Sequence, residues 1–221
     1  MHIDFVSDIA CPWCAVGLNA LERALEQLGA ELQPTLAFQP FELNPSMGPE
    51  GADTLEYLGA KYGIGPERIR RNQAAIRERG AAVGFAFGER ARVWNTFDAH
   101  RLLHWAGVEG APGTQRALKH ALLGAYHGQG RNPGDRQVLL ECAGQAGLDA
   151  ARAAEVLDGG AFAQEVRQAQ ARWQQAGIAS VPSIVIDGRH LIQSGQPPEV
   201  FVQALRQLAA ASAGRDAPAR A

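Results

Sequence analysis

Two periodicities alternate along this chain of 221 residues. His2-Ile3-Asp4-Phe5-Val6 is rich in β-branched and aromatic side chains and predicts a strand. Leu18, Leu21, Leu25 and Leu28 then recur at the spacing that places side chains on one face of a helix. Gly29 ends that pattern. Leu32, Pro34, Leu36 and Phe38 alternate with Gln33, Thr35, Ala37 and Gln39, which predicts a second strand. Pro34 cannot donate to a ladder, so it belongs at a sheet edge or a strand end. A strand–helix–strand order favours a parallel pair, because the helix carries the chain back to the starting edge. The proline- and glycine-punctuated stretch from Pro40 to Gly51 reads as a loop.

From about Asp53 to Gly177 the pattern is almost entirely helical. Asp53-Thr54-Leu55-Glu56 has the form of a capping box. Gly65-Pro66 opens a second helix, dense in Arg68, Arg70, Arg71, Arg77 and Arg79. That run reads as a solvated face, with attraction of an anionic ligand as the alternative. Phe85-Ala86-Phe87 is a break, and Asn95-Thr96 starts a helix carrying Phe97, Leu102 and Leu103. Further helices are expected over Thr114–His127, Asp135–Ala146, Asp149–Leu157 and Phe162–Ala176. Strand character returns at Ser183-Ile184-Val185-Ile186 and, after Asp187-Gly188, at Arg189-His190-Leu191-Ile192; Asp-Gly between two apolar runs signals a hairpin. Gln196-Pro197-Pro198-Glu199 opens a last helix with Val200, Phe201, Ala204, Leu205 and Leu208 inward.

The order is β-α-β, a helical block, then α-β-β-α. With the block set aside, the remainder is an α/β thioredoxin-like fold carrying a large all-helical insertion. Residues 1–42 and 165–210 are assigned to the thioredoxin-like domain, 43–164 to the insertion, and 211–221 to a flexible tail. An apolar fraction of 46% and a charged fraction of 20% suit a globular protein with a substantial core. A net charge of −2 gives no field that would favour nucleic acid or an anionic membrane. No apolar run approaches the ~20 residues that span a bilayer, and the N-terminus enters a strand directly rather than through a basic and apolar leader. A cytoplasmic location is therefore expected.

The chemistry concentrates at Cys11-Pro12-Trp13-Cys14, between the first strand and the first helix. Pro12 suits the first turn of a helix, where its missing N–H would be unpaired. Cys11 then lies at the helix mouth, where free amides and the macrodipole favour negative charge and lower a thiol pKa. Cys14, one turn in, is placed to attack a mixed disulfide formed at Cys11. A zinc site would need further Cys or His ligands. The remaining cysteine, Cys142, shares an apolar helix face with Leu139, Ala143 and Ala146 and reads as a small buried hydrophobe. His100 and His104 stand one turn apart without a third ligand, so no metal is assigned. The glycine-rich stretch 128–134 lacks the Lys-Ser/Thr of a phosphate loop and reads as a connector.

Ser7-Asp8-Ile9-Ala10-Cys11-Pro12-Trp13-Cys14, Phe41-Glu42-Leu43-Asn44-Pro45, Asn95-Thr96-Phe97-Asp98-Ala99-His100-Arg101-Leu102, and Val181-Pro182 through Pro197-Pro198 resemble the DsbA-like oxidoreductases, most closely their cytoplasmic FrnE-like branch. The resemblance runs from Ile3 to about Leu208. It implies thiol–disulfide exchange with protein or small-molecule thiols and disulfides, glutathione among them, by a monomer or homodimer without cofactor. Carried over, Cys11 is the attacking thiol, Cys14 the resolving thiol, and Pro182 a cis proline beside them, with Pro12 and Trp13 completing the motif. Val181, Phe41, Asn95 and His100 would face substrate, Val181 by adding an extended peptide to a strand edge. The periplasmic DsbA enzymes carry His where this chain has Trp13. Trp supplies no cation, so a less oxidising poise is expected. The same architecture also resembles kappa-class glutathione transferases and 2-hydroxychromene-2-carboxylate isomerases, which need one Ser or Cys at this position rather than two thiols. A holdase-type binding module is the remaining alternative.

Overall fold

The computed structural model describes residues 1–215. Strand β1 (His2–Ser7) leads into α1 (Pro12–Leu28), and β2 (Thr35–Pro40) returns parallel to β1 with Phe5 opposite Phe38. In the middle of the chain come β3 (Ala52–Asp53), α2 (Thr54–Tyr62), α3 (Pro66–Ala82), β4 (Arg92–Val93), α4 (Phe97–Val108) and α5 (Thr114–Leu123). After a wide π turn over Gly124–Gly128 follow α6 (Arg136–Gln145), α7 (Ala150–Asp158) and α8 (Ala163–Gln175). The chain closes with β5 (Ser183–Ile186), β6 (His190–Gln193) and α9 (Pro198–Arg215). The main sheet has the order β2-β1-β5-β6, with β5 antiparallel to both β1 and β6. This is the thioredoxin-like arrangement with a helical insertion.

Local chemistry explains the elements. Asp187 and Gly188 both take positive φ, 49° and 66°, the pair a two-residue hairpin turn of matching twist requires. Asp53, Asp135 and Asp149 cap α2, α6 and α7, their carboxylates accepting Glu56, Val138 and Arg152 amides at 3.0, 3.0 and 2.7 Å. Strand β1 is central, and Ile3, Phe5 and Val6 are fully buried. Strand β2 is an edge and starts only after Pro34, as a residue without an N–H demands. Leu102, Leu118, Leu122, Tyr126, Leu139 and Val156 from the insertion join Ile3, Phe5, Leu18 and Leu21 in one apolar cluster. The insertion is therefore packed onto the sheet domain through a shared core.

Two features depart from the pattern reading. The β3–β4 ladder pairs Ala52 with Val93 and Asp53 with Arg92, and strands of two residues are too short to leave an alternation. Helix α9 continues through Ala211 to Arg215, because Ala-rich sequence has high helix propensity where a frayed tail was expected. The rest of that expected tail, 216–221, lies outside the described residues.

Candidate active site

The turn Asp8–Cys11 ends β1 and aims α1. The Cys11 amide donates to the Asp8 carbonyl at 3.2 Å, Cys11 is the N-cap of α1, and Pro12 takes the first helical position. Cys11 and Cys14 are free thiols, 4% and 0% exposed, while Trp13 projects outward. A hydrogen bond from the Cys14 thiol holds the Cys11 pKa below the ordinary thiol value against the cost of burial, helped by the Cys14 and Trp13 amides. Burial, with Cys11 beside it, pushes the Cys14 thiol well up. Cys11 is thus the more acidic thiol of the two, and Cys14 the one that holds its proton more tightly.

The loop before β5 faces this pair. Val181–Pro182 is a cis peptide, and the Cys11 thiol lies 3.5 Å from the Val181 carbonyl oxygen. Gly17 on α1 permits the approach of that loop, since a Cβ there would stand 3.0 Å from Pro182 Cγ and 3.3 Å from Gly195 Cα. Cys11, Pro12, Trp13, Phe41 and Val181 all line one cleft of about 1010 Å³, whose far wall is built by Tyr57, Ile69 and Ile76 of α2 and α3.

Asn95 and His100 are not brought to the cleft wall. Asn95 spans the start of α4, its Oδ1 accepting the Phe97 amide at 2.8 Å and its Nδ2 donating to Met47 O at 3.0 Å. His100 is buried, with Nε2 3.3 Å from Asp8 Oδ1. Asp8 itself is fully buried. It accepts hydrogen bonds from the Ala10 amide (3.0 Å), the Leu43 amide (2.7 Å) and the Thr96 hydroxyl (2.7 Å). Burial pushes its pKa up, but the hydrogen bond and charge of His100 and the Leu43 and Ala10 amides hold the carboxyl below its usual value. One carboxylate thereby joins the cysteine turn, the Phe41–Pro45 loop and α4.

Two further groups fix the turn's carbonyls. His127 Nε2 donates to Ile9 O at 2.8 Å, and an Arg90 guanidinium nitrogen donates to Ala10 O at 3.1 Å. Burial and the Arg90 charge depress His127 to about 3, so its ring is neutral. Lys119 on α5 is 1% exposed, and burial lowers it to about 8 against the pull of Cys14, Asp8 and Cys11. Pattern reasoning did not assign Asp8, Lys119, Arg90 or His127. For Lys119 a signal existed: it shares a helix face with Leu122 and Leu123, where a cation is out of place.

Cys142 is buried on α6 within the apolar cluster, and burial pushes its thiol up to about 11. Cys142→Ala should leave thiol exchange unchanged and cost about 1 kcal/mol of stability, the scale of one small buried group, measurable by urea unfolding. Among the described residues no group of His, Cys, Asp and Glu is arranged to hold a metal ion, and no helix is long and apolar enough to cross a membrane. Iodoacetamide labelling of the folded protein should modify Cys11 first. Its rate should rise with pH to a midpoint below that of an unperturbed cysteine in a reference peptide; peptide mass mapping identifies the site.

The fold and the placement of the sulfurs define a thioredoxin-fold protein with a helical domain inserted into it. The chain belongs to the DSBA-like thioredoxin domain family, whose model matches residues 2–206. It is similar to a probable DsbA oxidoreductase from Streptomyces coelicolor, with 35% identity, a TM-score of 0.88, and coverage of 100% of this chain and 93% of that one. It is 25% identical over 210 residues to the uncharacterised protein YwbO of Bacillus subtilis, covering 93% of this chain and 96% of that protein. The cytosolic disulfide reductase DsbM of Pseudomonas aeruginosa, solved with GSH, shares the fold at 18% identity and a TM-score of 0.63, covering 94% of this chain and 98% of that one.

Proposed function

We propose that the chain exchanges a Cys11–Cys14 disulfide with protein or small-molecule thiols. The observation that carries this reading is the placement of two free thiols one turn apart at the start of α1, with Cys11 on the wall of an open cleft and 3.5 Å from the Val181 carbonyl oxygen. The Cys11 thiolate attacks one sulfur of a substrate disulfide, and that bond breaks as the first substrate thiolate leaves. The departing thiolate takes up the Cys14 proton. Cys14 then attacks Cys11 sulfur and expels the second thiolate. Two electrons pass to the substrate, and the Cys11–Cys14 bond remains; the reverse sequence oxidises a dithiol.

Ionisation of Cys11 also withdraws its hydrogen from Val181 O, freeing that carbonyl to accept an amide from an extended peptide. Phe41, Pro12 and Trp13 would flank such a peptide in the cleft, with Pro182 packed behind Val181. Asn95 and His100 serve as positioning residues, the latter through Asp8. The reaction needs no cofactor. Glutathione is a reasonable small thiol partner, and the cytoplasmic FrnE-like branch a reasonable home, because the cytosolic DsbM shares this fold. A glutathione-dependent isomerase would need one sulfur at the helix mouth; the second, touching the first, favours dithiol cycling. The protein at catalytic concentration should accelerate insulin-disulfide reduction by dithiothreitol, read as turbidity. A rate equal to that of dithiothreitol alone would overturn the reading.

A further inference from the structure

Adjoining the thiol cleft across Pro12 lies a second cavity of about 420 Å³. Arg70 and Arg77 of α3 and Arg90 stand in its wall. Arg70, Gln73 and Arg77 follow helical spacing, so α3 turns one face to this space. Pro12, Gln73, Ile76 and Arg90 line both this cavity and the cleft, making a shared ridge rather than a barrier between separate sites. Ion pairs among the described residues engage other arginines, and none includes Arg70, Arg77 or Arg90. Of the two carboxylates in the wall, Asp53 is committed to the Leu55 and Glu56 amides at 2.8 and 3.0 Å, and Glu89 is exposed. The wall thus sets three guanidiniums against two carboxylates, Arg90 giving one nitrogen to Ala10 O, so a positive excess remains, and the planar forks of Arg70 and Arg77 match carboxylate oxygens.

We infer that this cavity receives a carboxylate carried by the disulfide substrate, so that the protein prefers anionic disulfides. The inference rests on the thiol–disulfide reading above. A substrate sulfur bonded to Cys11 places its neighbouring groups over Pro12, and a side chain crossing that ridge meets Arg90, Arg70 and Arg77. The arginine run on α3 is then a substrate-reading surface rather than a solvated face alone.

The test compares two disulfide-linked dimers of acetylated, amidated tripeptides, Glu-Cys-Glu and Lys-Cys-Lys. Each oxidises pre-reduced protein, and acid-quenched thiol trapping gives the rate. Dividing by the rate with free dithiothreitol cancels intrinsic reactivity of the disulfides. At low salt the Glu dimer should react about tenfold faster than the Lys dimer, within the range of electrostatic steering. The preference should shrink toward unity at ~1 M salt, where charges are screened beyond about 3 Å. Arg70→Gln with Arg77→Gln should collapse the ratio at low salt by slowing the Glu dimer. Both side chains are exposed, so the salt series on the native protein gives an independent reading if the variant is unstable. A ratio near one in the native protein, or one that survives the double substitution, overturns the inference while leaving exchange intact. Failure of both dimers to oxidise the protein would instead remove the exchange reading itself.

Discussion

Replacing Cys11 by Ser is expected to reduce thiol–disulfide exchange by about 10³-fold or more, to the level of buffer thiol, because no other sulfur reaches the cleft as a thiolate. Cys14 is fully buried and its thiol is raised, and Cys142 lies on α6 in the apolar cluster. Cys14→Ser has a different consequence. Its Cys11 still attacks, but nothing resolves the product, so protein should accumulate with one substrate half attached through sulfur. Intact-mass measurement after mixing with a peptide disulfide distinguishes the two variants. Full turnover in Cys11→Ser, or release without accumulation in Cys14→Ser, would assign the chemistry elsewhere.

Asp8→Ala is expected to be the most destabilising single change near the site, by about 3–5 kcal/mol, the scale of stranding the partners of a buried charge. It leaves the Ala10 and Leu43 amides, the Thr96 hydroxyl and the His100 ring without their acceptor. For a chain of this size that is on the order of 10 °C in Tm. The pH dependence has a definite sign. The folded-state pKa of Asp8 lies below its ordinary value, so its contribution is present above about pH 4 and is lost as pH falls through the folded value. The stability gap between native protein and variant should therefore narrow in acid. Because the Asp8 charge also pushes the Cys11 thiol up, its removal should move the Cys11 labelling midpoint to lower pH. A variant as stable as the native protein at neutral pH would show that the carboxylate is not the tie between turn, loop and α4.

Much of this architecture is legible in side-chain period and turn chemistry. The leucines of α1, the Asp-Gly hairpin and the aspartate caps are local signals, each decided by residues within one or two turns of each other. Cys11 and Cys14 were equally local, since four adjacent residues and a helix start set their relation. The supporting charges were not. Asp8 finds Leu43 and Thr96, and Arg90 finds Ala10, across sequence separations of 35, 88 and 80 residues. No periodicity encodes such meetings. His100 shows the same limit in reverse. Its place on a helix was readable and the family resemblance pointed it toward substrate, yet its turn to a buried carboxylate depends on how α4 docks. The α3 arginines read as an ordinary solvated face because the cavity they border is closed by Pro12, far from them in sequence, and by the segment 87–91, which folds back beside α3 without a periodic pattern.

The claim beneath this account is that Cys11 and Cys14 cycle together between dithiol and disulfide. Equilibrating the protein across glutathione redox buffers, trapping the thiols and counting labels by mass spectrometry tests it directly. The expected result is a single two-electron transition in which Cys11 and Cys14 lose their labels together while Cys142 remains a thiol. Its potential should be more negative than about −120 mV, the oxidising extreme among DsbA-type enzymes. Independent titration of the two sulfurs, or no Cys11–Cys14 bond at any buffer ratio, would contradict the account.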